Sequence, residues 1–120
     1  MDEKKKLRCC QIKSALGIAG VSTTVCAWRS SKRNGGAQID LLIDRKDGVI
    51  NVCEMKFATG EFSIGAKYAA ELENKLSVLR EETQTDKSLH LTMITSSGVK
   101  RNEYACLVHS QVRLDDLFHV

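Results

Sequence analysis

Hydrophobic and polar positions along the chain alternate with two different periods, which predict helices and strands in a mixed order. The two strands in the middle are apolar on both sides, so we expect them to be central in a sheet. In this interpretation Ile39 faces the same way as Leu41 and Ile43. The predicted elements are a helix from Asp2 to about Ile18, strands at Ser22–Trp28, Gln38–Arg45 and Val49–Phe57, a helix from about Ile64 to Glu82, strands at Leu89–Thr95 and Ala105–His109, and a closing turn at Leu114–Phe118.

The length and composition of the chain predict a single domain over residues 1–120, because 42% hydrophobic content in 120 residues supplies one ordinary core. No apolar run reaches the length of a membrane-spanning helix and the first residues lack a signal peptide, so we expect a cytoplasmic protein with no membrane partner. A net charge of +3 is compatible with a polyanionic partner without indicating one. The five cysteines contain no Cys-x-x-Cys pair and are expected to be small buried residues.

A turn signal at Lys46-Asp47-Gly48 separates the second and third strands and determines how they pair. A two-residue turn would place Asp40 opposite Met55, on the wrong face from Glu54. A three-residue loop, which requires a left-handed glycine at its last position, pairs Asp40 with Glu54 instead. Glycine stands at that position, so we predict two carboxylates that face each other across adjacent strands.

An acidic residue followed two positions later by lysine occurs several times in this chain, and the context separates these pairs. Glu54 and Lys56 end an apolar strand, where the period of two puts both side chains on one face. Glu73 and Lys75 lie in a helix, where side chains two positions apart diverge, so that pair is predicted to belong to a solvated face.

Facing carboxylates destabilise a sheet unless a positive charge neutralises them. Mg²⁺ or Mn²⁺ fits Asp40 and Glu54, since carboxylate oxygens and waters are the ligands that Mg²⁺ prefers. Lys56 beside the metal would orient or help to deprotonate a water, which predicts hydrolysis of a phosphodiester. The alternative that the residue chemistry leaves open is a structural ion pair with Lys56 or Arg45.

The segments Gln38-Ile39-Asp40 and Cys53-Glu54-Met55-Lys56 resemble the motif of the PD-(D/E)xK nuclease superfamily, although Ile39 stands at the proline position. The resemblance implies an α/β fold with the restriction-endonuclease-like α-β-β-β-α-β core, a mixed central sheet flanked by helices. A closer resemblance is to the nuclease-like C-terminal domain of bacterial and archaeal P-loop ATPases. The segments that carry it are Gly36–Arg45, Ile50–Phe57, Leu91–Thr95 and Leu114–Phe118.

The superfamily resemblance also assigns roles to individual residues. It implies that Asp40 and Glu54 ligate the metal and that the main-chain oxygen of Met55 adds a ligand. It implies further that Lys56 acts at the water.

We therefore predict a metal-dependent nuclease that acts on DNA, with Lys32, Arg33 and Lys67 in contact with the nucleic-acid backbone. Glu3 is the candidate for a further acid on the first helix, and Gln38 is either a partner of a water at the metal or an ordinary strand-edge residue. A P-loop ATPase domain or subunit and a second copy of the chain are further expected partners. The alternative function is a nuclease-fold module that binds nucleic acid or protein with little or no catalysis.

Overall fold

The computed structural model describes residues 11–30 and 37–113, except for the side chain of Asp40. Residues 11–15 form a helical turn, α1. The elements that follow are β1 (Thr23–Arg29), β2 (Gln38–Arg45), β3 (Val49–Lys56), α2 (Ala66–Thr83), β4 (Ser88–Thr95), a 3-10 turn (Ala105–Leu107) and β5 (Ser110–Arg113).

The described strands form one five-stranded mixed sheet in chain order, β1 to β5. The pairs β1–β2 and β2–β3 are antiparallel, whereas β3–β4 and β4–β5 are parallel. A parallel pair needs a crossover connection, and α2 supplies it between β3 and β4. The α/β class, the α-β-β-β-α-β order and the central position of β2 and β3 are as predicted.

Helices cover both faces of the sheet. Leu72 and Leu79 of α2 are buried against one face. Ile12 of α1 is buried against the other face, in a cluster with Ile43 and Cys53. Neither helix within the described ranges is long and apolar enough to cross a membrane.

A β-bulge in β2 places Ile39 on the opposite face of the sheet from the predicted one. The register of β1 with β2 shifts by one residue, so that Ala27 faces two residues of β2. Ile39 therefore packs with Leu42 beneath α2, whereas Leu41 and Ile43 pack on the α1 face. The prediction that these three isoleucine and leucine positions share a face is wrong for Ile39, because one extra residue interrupts the period of two.

The segment before β5 also differs from its prediction. The side-chain oxygen of Asn102 accepts hydrogen bonds from the backbone N–H groups of Tyr104 and Ala105, which closes a turn there. A 3-10 turn consequently replaces the strand predicted at residues 105–109, and β5 begins at Ser110. The predicted closing turn at residues 114–118 lies outside the described residues.

The three cysteines of the described residues divide between the core and the surface, and Cys9 and Cys10 lie outside the described residues. Cys53 is buried in the sheet, as predicted. Cys26 and Cys106 are exposed, because one lies on the edge strand β1 and the other in the 3-10 turn. The prediction of burial is wrong for these two residues.

Candidate functional site

The turn between β2 and β3 has the predicted three-residue form. Gly48 has a φ of 90°, in the left-handed region that glycine adopts without strain. The ladder that follows pairs Leu41 with Cys53, as the three-residue loop requires. The ladder between β2 and β3 ends at this pair, and Asp40 and Glu54 are the next residue of each strand. The side chain of Asp40 is not among the described residues.

Glu54 is a buried carboxylate near the end of β3, with a relative exposure of 9%. Its Oε1 atom accepts a hydrogen bond from Nζ of Lys75, on α2, at 2.7 Å. A buried carboxylate is unfavourable unless it is paired and hydrogen-bonded. The ammonium of Lys75 is the partner that this buried carboxylate requires.

Lys56, two residues further along β3, also reaches α2. Its Nζ lies 5.0 Å from the centroid of the Tyr68 ring, within range of a cation–π interaction. Phe62 packs edge-on against the same ring, with centroids 5.6 Å apart. Glu54 and Lys56 thus lie on one face of β3, as the period of two predicts, and the Tyr68 ring orients the lysine.

The hydroxyl of Tyr68 is buried, and no residue of the described part accepts or donates a hydrogen bond to it. Burial raises the pKa of Tyr68 well above its ordinary value, and the negative charges of Glu54 and Glu71 raise it further. An unpartnered buried polar group is uncommon in a folded protein and costs free energy. Tyr68 is the one residue of the described part whose buried side-chain oxygen or nitrogen lacks a partner.

Sequence analysis missed two residues of this site, Tyr68 and Lys75. The sequence pattern assigned Tyr68 no role in the site, and it predicted Lys75 as part of a solvated face. The solvated-face prediction is wrong for Lys75, because its side chain is only 25% exposed and contacts Glu54. The helical period contains the missing signal: Lys75 follows Leu72 by three residues and precedes Leu79 by four, which places it inside the stripe that faces the sheet.

The remaining predicted site residues are dispersed. Met55 points away from Glu54 along the strand and is 39% exposed, and its backbone pairs with β4. Gln38 accepts a hydrogen bond from Arg29 at 2.9 Å on the exposed side of β2. Lys67 is exposed in the first turn of α2. Glu3, Lys32 and Arg33 lie outside the described residues.

The donor chemistry at the end of β3 fits a divalent cation. Glu54 supplies a buried carboxylate that already contacts a cation, the ammonium of Lys75. The carbonyl of Met55 and the register position of Asp40 lie beside it. Among the described side chains, which do not include that of Asp40, no group of three His, Cys, Asp or Glu residues is placed to hold a metal ion. A metal here would thus depend on Asp40, on main-chain oxygen and on water as well as on Glu54.

Comparison with known proteins finds the fold but no family. No protein family and no curated protein matches the chain. The crystal structure of the protein of unknown function AF1548 is similar, with a TM-score of 0.56 and 16% sequence identity, over 89% of this chain and 55% of that chain. The present chain therefore spans about half the length of this neighbour. At this level of identity the similarity shows the α/β fold alone.

Proposed function

We propose that this protein is a metal-dependent nuclease of the PD-(D/E)xK class, with Asp40, Glu54 and Lys56 at its centre. The observation that carries the proposal is that Glu54 and Lys56 lie on one face of β3, in a hairpin whose β2–β3 ladder ends at Leu41 and Cys53, one residue before Asp40 and Glu54. The α-β-β-β-α-β order, which the superfamily resemblance implied, adds support. Asp40 and Glu54 would hold Mg²⁺ or Mn²⁺ together with the main-chain oxygen of Met55.

The side chains of the site have distinct roles in this proposal. When bound, the cation supplies polarisation of the phosphate and activation of the attacking water. Glu54 orients that water from a buried position. Lys56, held by the Tyr68 ring, offsets the negative charge that develops on the phosphate.

A polyanionic substrate, DNA in the first instance, fits the charges of the site. Lys56 and Lys75 balance the charges of Glu54 and Asp40, and Lys67 adds an exposed amine to the first turn of the same helix as Lys75. Only 5% of the residues are aromatic, so binding should use the phosphate backbone and weaken with salt. Lys32 and Arg33, a cytoplasmic location, a second copy of the chain and a P-loop ATPase partner remain parts of the same proposal.

A second candidate function is a nuclease-fold module that binds nucleic acid or protein without useful catalysis. The observation that favours it is the ion pair between Glu54 and Lys75. Because Lys75 already neutralises Glu54, the carboxylate has a structural reason to be ionised and buried without any metal.

A cleavage assay separates the two functions. Purified protein is incubated with supercoiled, linear and branched DNA and with RNA, with Mg²⁺, Mn²⁺ or EDTA. The nuclease proposal expects metal-dependent cleavage that Glu54→Gln and Lys56→Ala each lower by about 100-fold or more. Lys46→Ala, an exposed change in the hairpin loop at the other end of β3, should leave cleavage unchanged. Binding without cleavage under every metal condition, or full activity in both site variants, would refute the nuclease and leave the module.

A further inference from the structure

We infer that Lys75 competes with the metal for Glu54 and that a nucleic-acid backbone relieves this competition, so that metal and polyanion bind cooperatively. This inference rests on the proposed function, because it concerns the metal of that same site. It goes beyond that function by assigning to Lys75 a regulatory role that the E-x-K motif does not include.

The first step is the position of the Lys75 ammonium. Its Nζ lies 2.7 Å from Oε1 of Glu54, the distance of a charge-assisted hydrogen bond. A cation that binds the same carboxylate has to share or displace this contact. Two positive charges on one carboxylate repel each other strongly in a partly buried site, so Lys75 lowers the affinity for the metal.

The second step is that the side chain of Lys75 can move away from the carboxylate of Glu54. Its side chain is 25% exposed, whereas that of Glu54 is 11% exposed, so solvent reaches the lysine side of the pair more than the carboxylate side. Lysine has a long stem with several rotatable bonds, and its ammonium is well hydrated. Rotation of this side chain moves the charge into solvent while the buried carboxylate stays in place.

The third step is that a phosphate backbone stabilises the position of the Lys75 side chain rotated away from Glu54. The other amine on this face, Lys56, is held over the Tyr68 ring. A phosphodiester at the end of β3 therefore offers Lys75 a new anionic partner outside the pair and frees Glu54. Because coupling between two ligands is reciprocal, a polyanion that draws Lys75 away must tighten metal binding, and metal must tighten polyanion binding.

The test measures Mn²⁺ binding by electron paramagnetic resonance, without reference to cleavage. Lys75→Gln removes the charge but keeps a donor for Glu54, and Lys46→Gln makes the same change of net charge in the exposed hairpin loop. We expect Lys75→Gln to bind Mn²⁺ about tenfold more tightly than the wild type or more, as a neighbouring charge typically has effects of this size. Lys46→Gln should bind Mn²⁺ like the wild type, and Glu54→Gln should lose most of the binding.

The second arm adds a short phosphorothioate DNA duplex, whose sulfur substitution slows hydrolysis. Mn²⁺ binding to the duplex alone and to the duplex with Glu54→Gln gives the background. We expect the duplex to tighten Mn²⁺ binding to the wild type by a larger factor than binding to Lys75→Gln, because the variant has no competing charge to release.

A third measurement uses the unaltered protein and does not depend on the folding of a variant. Acetylation of individual lysines is followed by mass spectrometry with and without Mn²⁺. Displacement from Glu54 should raise the reactivity of Lys75 severalfold and leave that of Lys46 unchanged. Equal Mn²⁺ affinity in wild type and Lys75→Gln, or unchanged Lys75 reactivity at saturating Mn²⁺, overturns the inference and leaves the nuclease proposal standing. Absence of Mn²⁺ binding from every protein overturns both.

Discussion

The hydroxyl of Tyr68 is buried without a partner among the described residues, so we predict that its removal has an effect on stability opposite to that of most core substitutions. Tyr68→Phe removes a single oxygen and keeps the ring that contacts Lys56 and Phe62. Most substitutions of partly buried residues destabilise a protein. We expect this one to stabilise the protein in the absence of metal and substrate, because the oxygen it removes is buried and has no partner among the described residues.

The expected size follows from the contacts. A buried polar group without a partner costs about 1–3 kcal/mol. The edge-on contact with Phe62, worth about 0.5–1.5 kcal/mol in typical aromatic pairs, survives in the variant. The cation–π contact of Lys56 survives as well. Tyr68→Phe should therefore raise the free energy of unfolding by about 1 kcal/mol, or the Tm by about 4 °C.

Urea unfolding monitored by circular dichroism measures this change, with two comparison variants. Tyr104→Phe removes a hydroxyl that is not among the buried unpartnered atoms and should change stability by less than about 0.5 kcal/mol. Tyr68→Leu removes the ring and should destabilise the protein by about 2 kcal/mol or more. A loss of stability in Tyr68→Phe comparable to a lost hydrogen bond would refute the reasoning, because it would mean that the hydroxyl has a partner.

The pH dependence of unfolding gives an independent check on the same group. The pKa of Tyr68 is raised in the folded protein, so the unfolded chain releases its proton first as the pH rises. The stability contributed by the neutral form is present below the ordinary tyrosine pKa of about 10 and is lost above it. The wild type should therefore lose more stability between about pH 9 and 11 than Tyr68→Phe does. Equal losses in the two proteins would contradict the raised pKa.

Two further predictions concern the hairpin and the opposite face of the sheet. Gly48→Ala should destabilise the protein by about 1–2 kcal/mol in urea unfolding. The cause is its φ of 90° alone, since no atom lies within 4 Å of the added Cβ. Gly20→Ala, which is equally uncrowded and has no positive φ, should be near neutral, and similar effects of the two substitutions would contradict the proposed turn. His90 stacks on His109. Burial lowers the pKa of His90, the charges of His109 and Arg45 lower it further, and Asp47 opposes them. The unfolded chain therefore takes up a proton at His90 first, and stability falls as the pH drops below about 6.5. His90→Gln should lose less stability than the wild type between about pH 7 and 5 by thermal unfolding, and parallel curves for the two proteins would refute the assignment.

The hairpin could be predicted from the sequence because its determinants are local. The three residues between the strands include a glycine where the loop requires a left-handed conformation, and this requirement alone sets the register. The observed bounds of β2, Gln38–Arg45, coincide with the predicted ones, and the register that pairs Leu41 with Cys53 follows from Gly48 without information from elsewhere in the chain.

The bulge in β2 could not be predicted in the same way. It arises from pairing with β1, whose residues around Ala27 are not adjacent to β2 in the sequence. Nothing in the alternation of Ile39, Leu41 and Ile43 distinguishes a regular strand from one with an extra residue, because each position is apolar. The face of Ile39 is therefore decided by a non-local partner, and Asp40 lies next to the residue at which the alternation changes.

Lys75 is the opposite case. Its contact with the sheet could have been predicted from its helical position, but the spacing between Glu73 and Lys75 pointed to a solvated face instead. The acid-x-lysine spacing correctly excluded Glu73 as its partner on a helix. The position of Lys75 between Leu72 and Leu79 nevertheless places a charge on the face that packs on the sheet, and such a charge requires an acid opposite. Glu54 is that acid.

The stability of the fold does not by itself account for this ion pair. Replacing a buried ion pair with apolar residues of similar volume is often neutral or stabilising, so a protein that needed only a packed core would have little reason to place Lys75 and Glu54 there. The pair is instead located at the one end of β3 where Lys56 and the unpartnered hydroxyl of Tyr68 also lie. Three groups that cost free energy to bury, the carboxylate of Glu54, the amine of Lys75 and the Tyr68 hydroxyl, thus lie beside the exposed Lys56 at the end of one strand, as we expect of the proposed site for a charged ligand.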